Sequence, residues 1–199
     1  MEEIIRKDPT HLPVQQLKDE RQTTPNISSA HQEVLDLVKK ELKSFEDRIY
    51  AEMSSLFQVY FEISDHVLKK NYDAAFRMAL SKKKLELLIH VCKLVDPSKI
   101  FCNPSPYLQQ SVILSLIRQL SCDLHHDTLL KFRYLIKAVA KLDFSREVTK
   151  ERGKVVLKEV AETLKIHIAT LDIRADAQIF IEASKLASAV KTVILVTSL

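Results

Sequence analysis

Ten apolar residues from Leu35 to Val67 recur at spacings of 3-4-3-4-4-3-4-3-4: Leu35, Val38, Leu42, Phe45, Ile49, Met53, Leu56, Tyr60, Ile63 and Val67. An α-helix turns once every 3.6 residues, so this rhythm draws one narrow seam along one long helix. The step from Ile49 to Met53 is a stutter in an otherwise regular heptad pattern. A helix of about 40 residues gains little from such a seam unless something covers it. The expected cover is a second copy, with Leu35, Val38, Leu42, Phe45, Ile49, Met53 and Leu56 as oligomerisation positions. The alternative is that the helix lies along the rest of its own chain. Ser29 followed by Gln32 reads as a capping box, starting the helix near residue 29.

Composition restricts function more than fold. One glycine in 199 residues removes most phosphate-cradling loops, which need positive φ or close backbone approach. Neither GxGxxG nor GxxxxGKS/T occurs, so the common nucleotide-binding enzymes are not expected. Cys92, Cys102 and Cys122 are odd in number, scattered and free of any CxxC pair, which argues against a disulfide framework or zinc module and fits a reducing compartment. No charged-then-apolar leader opens the chain. The most apolar tail, LASAVKTVILVTSL, carries Lys191 and is too short to span a bilayer, so a soluble protein without a membrane partner is expected. Residues 1–70 hold 10 Lys+Arg against 13 Asp+Glu and residues 71–199 hold 20 against 13, so −3 is followed by +7, summing to the chain's +4. Such asymmetry points to modules with different partners.

Residues 1–28 carry three of the six prolines and no sustained period, and read as disordered or linker. Residues 29–70 form the long helix and candidate oligomerisation segment. From residue 71 the rhythm shortens, and helices are expected near 71–81, 83–95, 108–124, 128–142, 146–171 and 175–195. Asp127 and Asp143 are the expected caps or turn residues. Residues 108–124 are apolar over more than a stripe, as a helix sandwiched between neighbours must be. The fold class is therefore all-α: a coiled-coil-like N-terminal helix followed by a stacked-helix domain, 71–199, of ARM/HEAT-like type.

The stretch LELLIHVCKLVDPSKIF sets His90 and Cys92 two positions apart. On a helix they point about 200° apart and cannot grip one ion. Cys92 falls on the apolar face as a small buried hydrophobe, and His90 on the solvated face. The helix ends at Asp96-Pro97. HHD at His125 to Asp127 is the most metal-like cluster, yet it lacks spaced partners. HExxH, GxSxG and paired carboxylates in an apolar setting are all missing, so neither catalysis, a metal nor a cofactor is expected. Turning Leu129, Phe132, Leu135, Ile136, Val139 and Leu142 inward leaves Arg133, Tyr134, Lys137 and Lys141 on the other face. Arg118 projects from the preceding helix, and Lys154, Lys158 and Lys165 line one face of the next. Arg118, Arg133, Tyr134, Lys137 and Lys141 are the candidate partner-binding residues, an aromatic ring within a basic stripe suited to an acidic peptide or to RNA.

The segments YDAAFRMAL, LELLIHVCKLVDPSKIF, SVILSLIRQLSCDL and KFRYLIKAVAKLDFS, in this order and spacing, resemble the C-terminal region of the enhancer-of-mRNA-decapping scaffold family, known as Hedls in animals and Varicose in plants. The resemblance covers roughly residues 71–170. Lys82 to Lys84 are more basic than the family pattern, and the segment from about 172 matches less well. The resemblance implies a non-catalytic scaffold of cytoplasmic processing bodies. Its implied partners are the decapping enzyme, its activator and the 5′–3′ exonuclease, with a self-associating segment ahead of a helical domain. It also implies that the chain is a C-terminal fragment or a shortened relative.

Overall fold

A computed structural model describes residues 27–102 and 107–197, so nearly all of the expected linker lies outside the described residues. The described residues form eight helices and no strand: α1 (Ile27–Leu68), α2 (Tyr72–Ser81), α3 (Leu85–Leu94), α4 (Pro97–Ile100), α5 (Gln110–Ser121), α6 (Thr128–Ala140), α7 (Glu147–Thr170) and α8 (Ala177–Thr197). The chain divides into two compact units, Met1–Met53 and Ser54–Leu199, with the division inside α1.

In the first unit, the seam residues Leu35 to Met53 are each 41 to 57% exposed. The helix starts earlier than the capping-box reading places it: α1 begins two residues before Ser29, and the Gln32 amide donates to Asp36 at 3.1 Å. In the second unit the same seam turns onto the domain core, with Ile63 buried and Leu56, Tyr60 and Val67 partly so. Val59 and Ile63 belong to the domain core, and Leu56, Tyr60 and Val67 pack against it. Leu56 therefore faces its own domain, correcting its place among the oligomerisation positions. Burying a side chain such as Ile63, fully enclosed, contributes about 1.5–3 kcal/mol, so this part of the helix is held by ordinary core packing.

The second unit is built from helix pairs. α2 packs on α3, α5 on α6 and α7 on α8; α2 stacks on α5 and α5 on α7, while α6 stacks on α8. Like helices of successive pairs thus lie on each other, the arrangement of a helical-repeat stack. The wide apolar face of α5, with Val112, Ile113, Leu116, Ile117 and Leu120 buried, follows from its neighbours α2, α6 and α7. The Gln110 amide staples three elements: its Nε2 donates to the Lys141 carbonyl at 3.0 Å, and its Oε1 accepts from the Asp143 N–H at 3.0 Å and the Thr149 hydroxyl at 3.3 Å.

The turns manage almost without glycine. Lys70, Lys83 and Asp127 all adopt positive φ, between 51° and 58°. At the end of α1 the Asn71 N–H donates to the His66 carbonyl at 2.8 Å and the Lys70 N–H to the Val67 carbonyl at 2.9 Å, a Schellman motif with lysine where glycine is usual. The one glycine, Gly153 on α7, instead serves packing, because the Phe144 ring rests where a Cβ would stand.

One short helix escapes the sequence patterns, and Asp127 takes the turn half of its expected role. Asp96 starts the short helix α4, its carboxylate accepting from the Ser98 N–H at 2.7 Å with Pro97 in the first turn. Asp127 precedes α6 without capping it through its side chain, which pairs with Lys93 at 2.9 Å.

Candidate docking surface

The expected basic stripe changes once α6 is in place. Its buried face comprises Thr128, Lys131, Phe132, Tyr134, Leu135, Ala138 and Val139, turned by about 60° from the face that apolarity alone selects. Tyr134 is fully buried, which corrects its assignment as a partner-facing residue. Its hydroxyl donates to the Val95 carbonyl, and its ring lies 6.1 Å from Phe76 and 6.4 Å from Phe101, centroid to centroid. Burial raises the Tyr134 hydroxyl above the usual phenol range and pushes the Cys92 thiol well above that of a free cysteine. Cys92 is thus an inert core residue.

Lys131 explains the rotation. It is 1% exposed, with its ammonium donating to the Asp123 carbonyl at 2.6 Å and to the Asp123 carboxylate at 3.2 Å. A charge goes inside when charge-assisted hydrogen bonds meet it there. The His125 N–H holds the Asp123 carboxyl far below the usual range, with His126 and Lys131 adding to the effect.

Arg133 and Lys137 remain exposed on α6, beside Asp96. The Ser98 N–H and hydroxyl, and then these two cations, lower the Asp96 carboxyl below its ordinary range. Lys141 is half-buried at the C-terminus of α6, and Arg118 turns instead to Glu159 on α7 at 3.3 Å. Arg118 and the Arg133/Lys137 pair therefore address different elements. On α7, by contrast, Lys154, Lys158 and Lys165 are all exposed.

His90 also departs from expectation. It is half-buried, shares a 3.1 Å hydrogen bond with the Ser64 hydroxyl, and meets the Tyr60 ring edge-on at 4.9 Å, so burial lowers its basicity. It borders a cleft of ≈ 430 Å³ lined by Tyr60, Glu86, Lys93, Asp123, His126 and Lys131, among others. This polar cleft gave no sign in the sequence, because its walls come from α1, α3, α6 and the turn before α6. Its lining holds no serine, threonine or cysteine, and its charges largely satisfy each other, Lys93 with Asp127 and Lys131 with Asp123. The three residues of HHD diverge: His126 meets Asp123 at 3.1 Å, Asp127 meets Lys93, and the His125 ring meets His167 at 5.1 Å. Among the described residues no group of three or more His, Cys, Asp or Glu side chains is placed to hold a metal ion.

The family model for the C-terminal region of enhancer of mRNA-decapping protein 4 matches residues 63–178. The chain belongs to this family. Members in the decapping-enhancer family include the Homo sapiens enhancer of mRNA-decapping protein 4, 42% identical over 90 residues, which are 45% of this chain and 6% of that protein. The Drosophila melanogaster homolog is 25% identical over 167 residues, 80% of this chain and 12% of its own length. The chain thus spans a small fraction of the curated relatives it matches. The crystal structure of the conserved C-terminal region of Ge-1 superposes with a TM-score of 0.58 at 26% identity, covering 68% of this chain and 98% of that one. The C-terminal region of Ge-1 thus shares the helical fold described above.

Proposed function

We propose that this chain is a non-catalytic scaffold module of the mRNA decapping machinery, which self-associates through the first part of α1 and docks decay factors on its stacked-helix domain. The observation that carries the reading is the divided seam: Leu35, Val38, Leu42, Phe45, Ile49 and Met53 are exposed at heptad positions, while their continuation from Leu56 is satisfied by the domain. A seam left open over that length is covered by a second α1. Linking several docking domains raises the local concentration of whatever they bind. The partners in this reading are the decapping enzyme, its activator and the 5′–3′ exonuclease, and the setting is the cytoplasmic processing body. The relatives' names, enhancers of mRNA decapping, support the reading and describe an accessory role.

The test combines light scattering of the full chain over a concentration series with capture of purified decapping enzyme and activator. A concentration-dependent oligomer that retains these factors is expected. A monomer at all concentrations sinks the assembly role, and failure to retain either factor sinks the docking role. A second reading, direct RNA contact, draws on the exposed Arg133 and Lys137. It requires binding that falls steeply with salt, whereas a peptide complex resists salt.

A further inference from the structure

The last helix pair presents an apolar groove beside a row of unmatched charge. α7 and α8 pack on α5 and α6 through Val160, Leu164, Leu186 and Val190, all essentially buried. A groove of ≈ 460 Å³ runs between α7 and α8, lined by Ala161, Leu164, Ile168, Ala187, Ile194 and Leu195. Ala161 and Ala187 stop at Cβ and so leave room for side chains from outside. Lys165 and Lys191 stand at its rim. Lys150, Lys154, Lys158 and Lys165 recur along α7 at helical spacing, on the side that carries Ala161 and Ile168. These four lysines and Lys191 are exposed, and none has an ion pair among the described residues. Glu147, Glu151 and Glu162 lie three or four residues from these lysines on α7 without closing to ion-pair distance, so carboxylates brought by a partner can meet the lysines.

We propose that the α7/α8 groove is a docking site for an acidic amphipathic helix of a partner protein, whose apolar residues enter between Ala161 and Ala187 while its carboxylates meet the α7 lysines and Lys191. The site rests on the docking reading above and lies apart from Arg133 and Lys137. A peptide suits it better than a nucleic acid does, because the groove lining holds no aromatic ring on which a base stacks. Helix-in-groove recognition uses anchors at helical spacing for affinity and flanking charge for selection.

The experiment uses the full chain and a fluorescein-labelled helical peptide of about 16 residues, with leucine at i, i+3, i+4 and i+7 positions and glutamate between them. Fluorescence polarisation compares the parent chain with the surface pair Lys165→Glu/Lys191→Glu and with Ala187→Phe, which fills the groove. Each is expected to weaken the peptide by about tenfold or more, and a peptide with lysine in place of glutamate is expected not to bind. Absence of peptide binding by the parent chain, or binding unchanged in the lysine pair, overturns the site. Two further outcomes also overturn it. One is that an oligouridylate of about 20 nucleotides, and not the peptide, loses affinity in the lysine pair. The other is that Ala187→Phe, still folded by circular dichroism, turns an oligomer into a monomer, which gives the groove to a second copy. A chain that captures the decapping factors but ignores the peptide overturns the groove alone. One that binds the peptide at the groove but captures neither factor overturns the docking reading and leaves the groove standing.

Discussion

The hydroxyl of Tyr134 donates to the backbone carbonyl of Val95, the residue at which α3 gives way to Asp96-Pro97. The bond ties the middle of α6 to the junction of α3 and α4, with Cys92 and Asp96 near the same phenol. Tyr134→Phe removes the donor and leaves the carbonyl without it, at a cost of about 1–2 kcal/mol. Tyr134→Ala is expected to cost about 3–5 kcal/mol by emptying the ring's site. Urea midpoints measure both, and a Phe variant as stable as the parent contradicts the assignment. Capture of decapping factors is expected to follow the folded fraction alone.

The divided seam predicts opposite results for chemically identical changes. Leu42→Asp with Phe45→Asp is expected to reduce the solution mass to that of a monomer while the domain's thermal midpoint stays put. Ile63→Asp places a carboxylate in a fully buried position and is expected to destabilise the domain by about 3–5 kcal/mol or more. Loss of domain stability in the first variant would contradict the division of labour along α1.

His167 is 5% exposed, touches the Phe132 and His125 rings, and neither of its ring nitrogens has a hydrogen-bond partner among the described residues. Burial, and then the His125 charge, lower its basicity below the ordinary 6.5, while Asp123 and Asp176 oppose this. The unfolded chain therefore binds the proton more readily than the folded one. Stability is full above about pH 6.5 and is lost as pH falls through that value toward the depressed folded one. Denaturant titrations between about pH 7.5 and pH 5 are expected to show that loss, and His167→Leu to reduce it, leaving the part due to His90. An unchanged slope in His167→Leu rejects the assignment.

A Cβ on Gly153 would stand 2.9 Å from the Phe144 ring and 3.2 Å from the Thr149 methyl. Gly153→Ala gains about 1 kcal/mol of helix propensity, but overpacking costs about 1–3 kcal/mol, so a net loss of about 1 kcal/mol is expected. Adding Phe144→Leu is expected to recover part of that loss, and a double-mutant cycle reads the coupling. A stabilised single Gly153→Ala variant means that the ring moves aside freely.

Helix positions were legible because apolar period and turn residues agree: the spans 71–81 and 146–171 correspond to Tyr72–Ser81 and Glu147–Thr170 within one residue at each end. Helix rotation was less legible. On α6 the apolar count favours Leu129 and Ile136, but Lys131 turns inward because Asp123, eight residues earlier, offers both its carbonyl and its carboxylate. That partnership depends on the path of the turn, which no helical wheel contains. Tyr134 then follows Lys131 inward. The polar cleft stayed hidden for the same reason, since it joins α1, α3 and α6, and the α7/α8 groove because it opens only where two helices pack. The lysines of α7 could be read, because they lie on a single helix.

The left-handed turns at Lys70, Lys83 and Asp127 bear on how this protein can evolve. A side chain held at positive φ costs about 1 kcal/mol that glycine avoids. A chain with glycine at one position only has left that gain untaken at all three. Its architecture can therefore absorb destabilising exchanges elsewhere, because compensating changes are available at the exposed turns of Lys70 and Lys83, whereas Asp127 lines the polar cleft and pairs with Lys93.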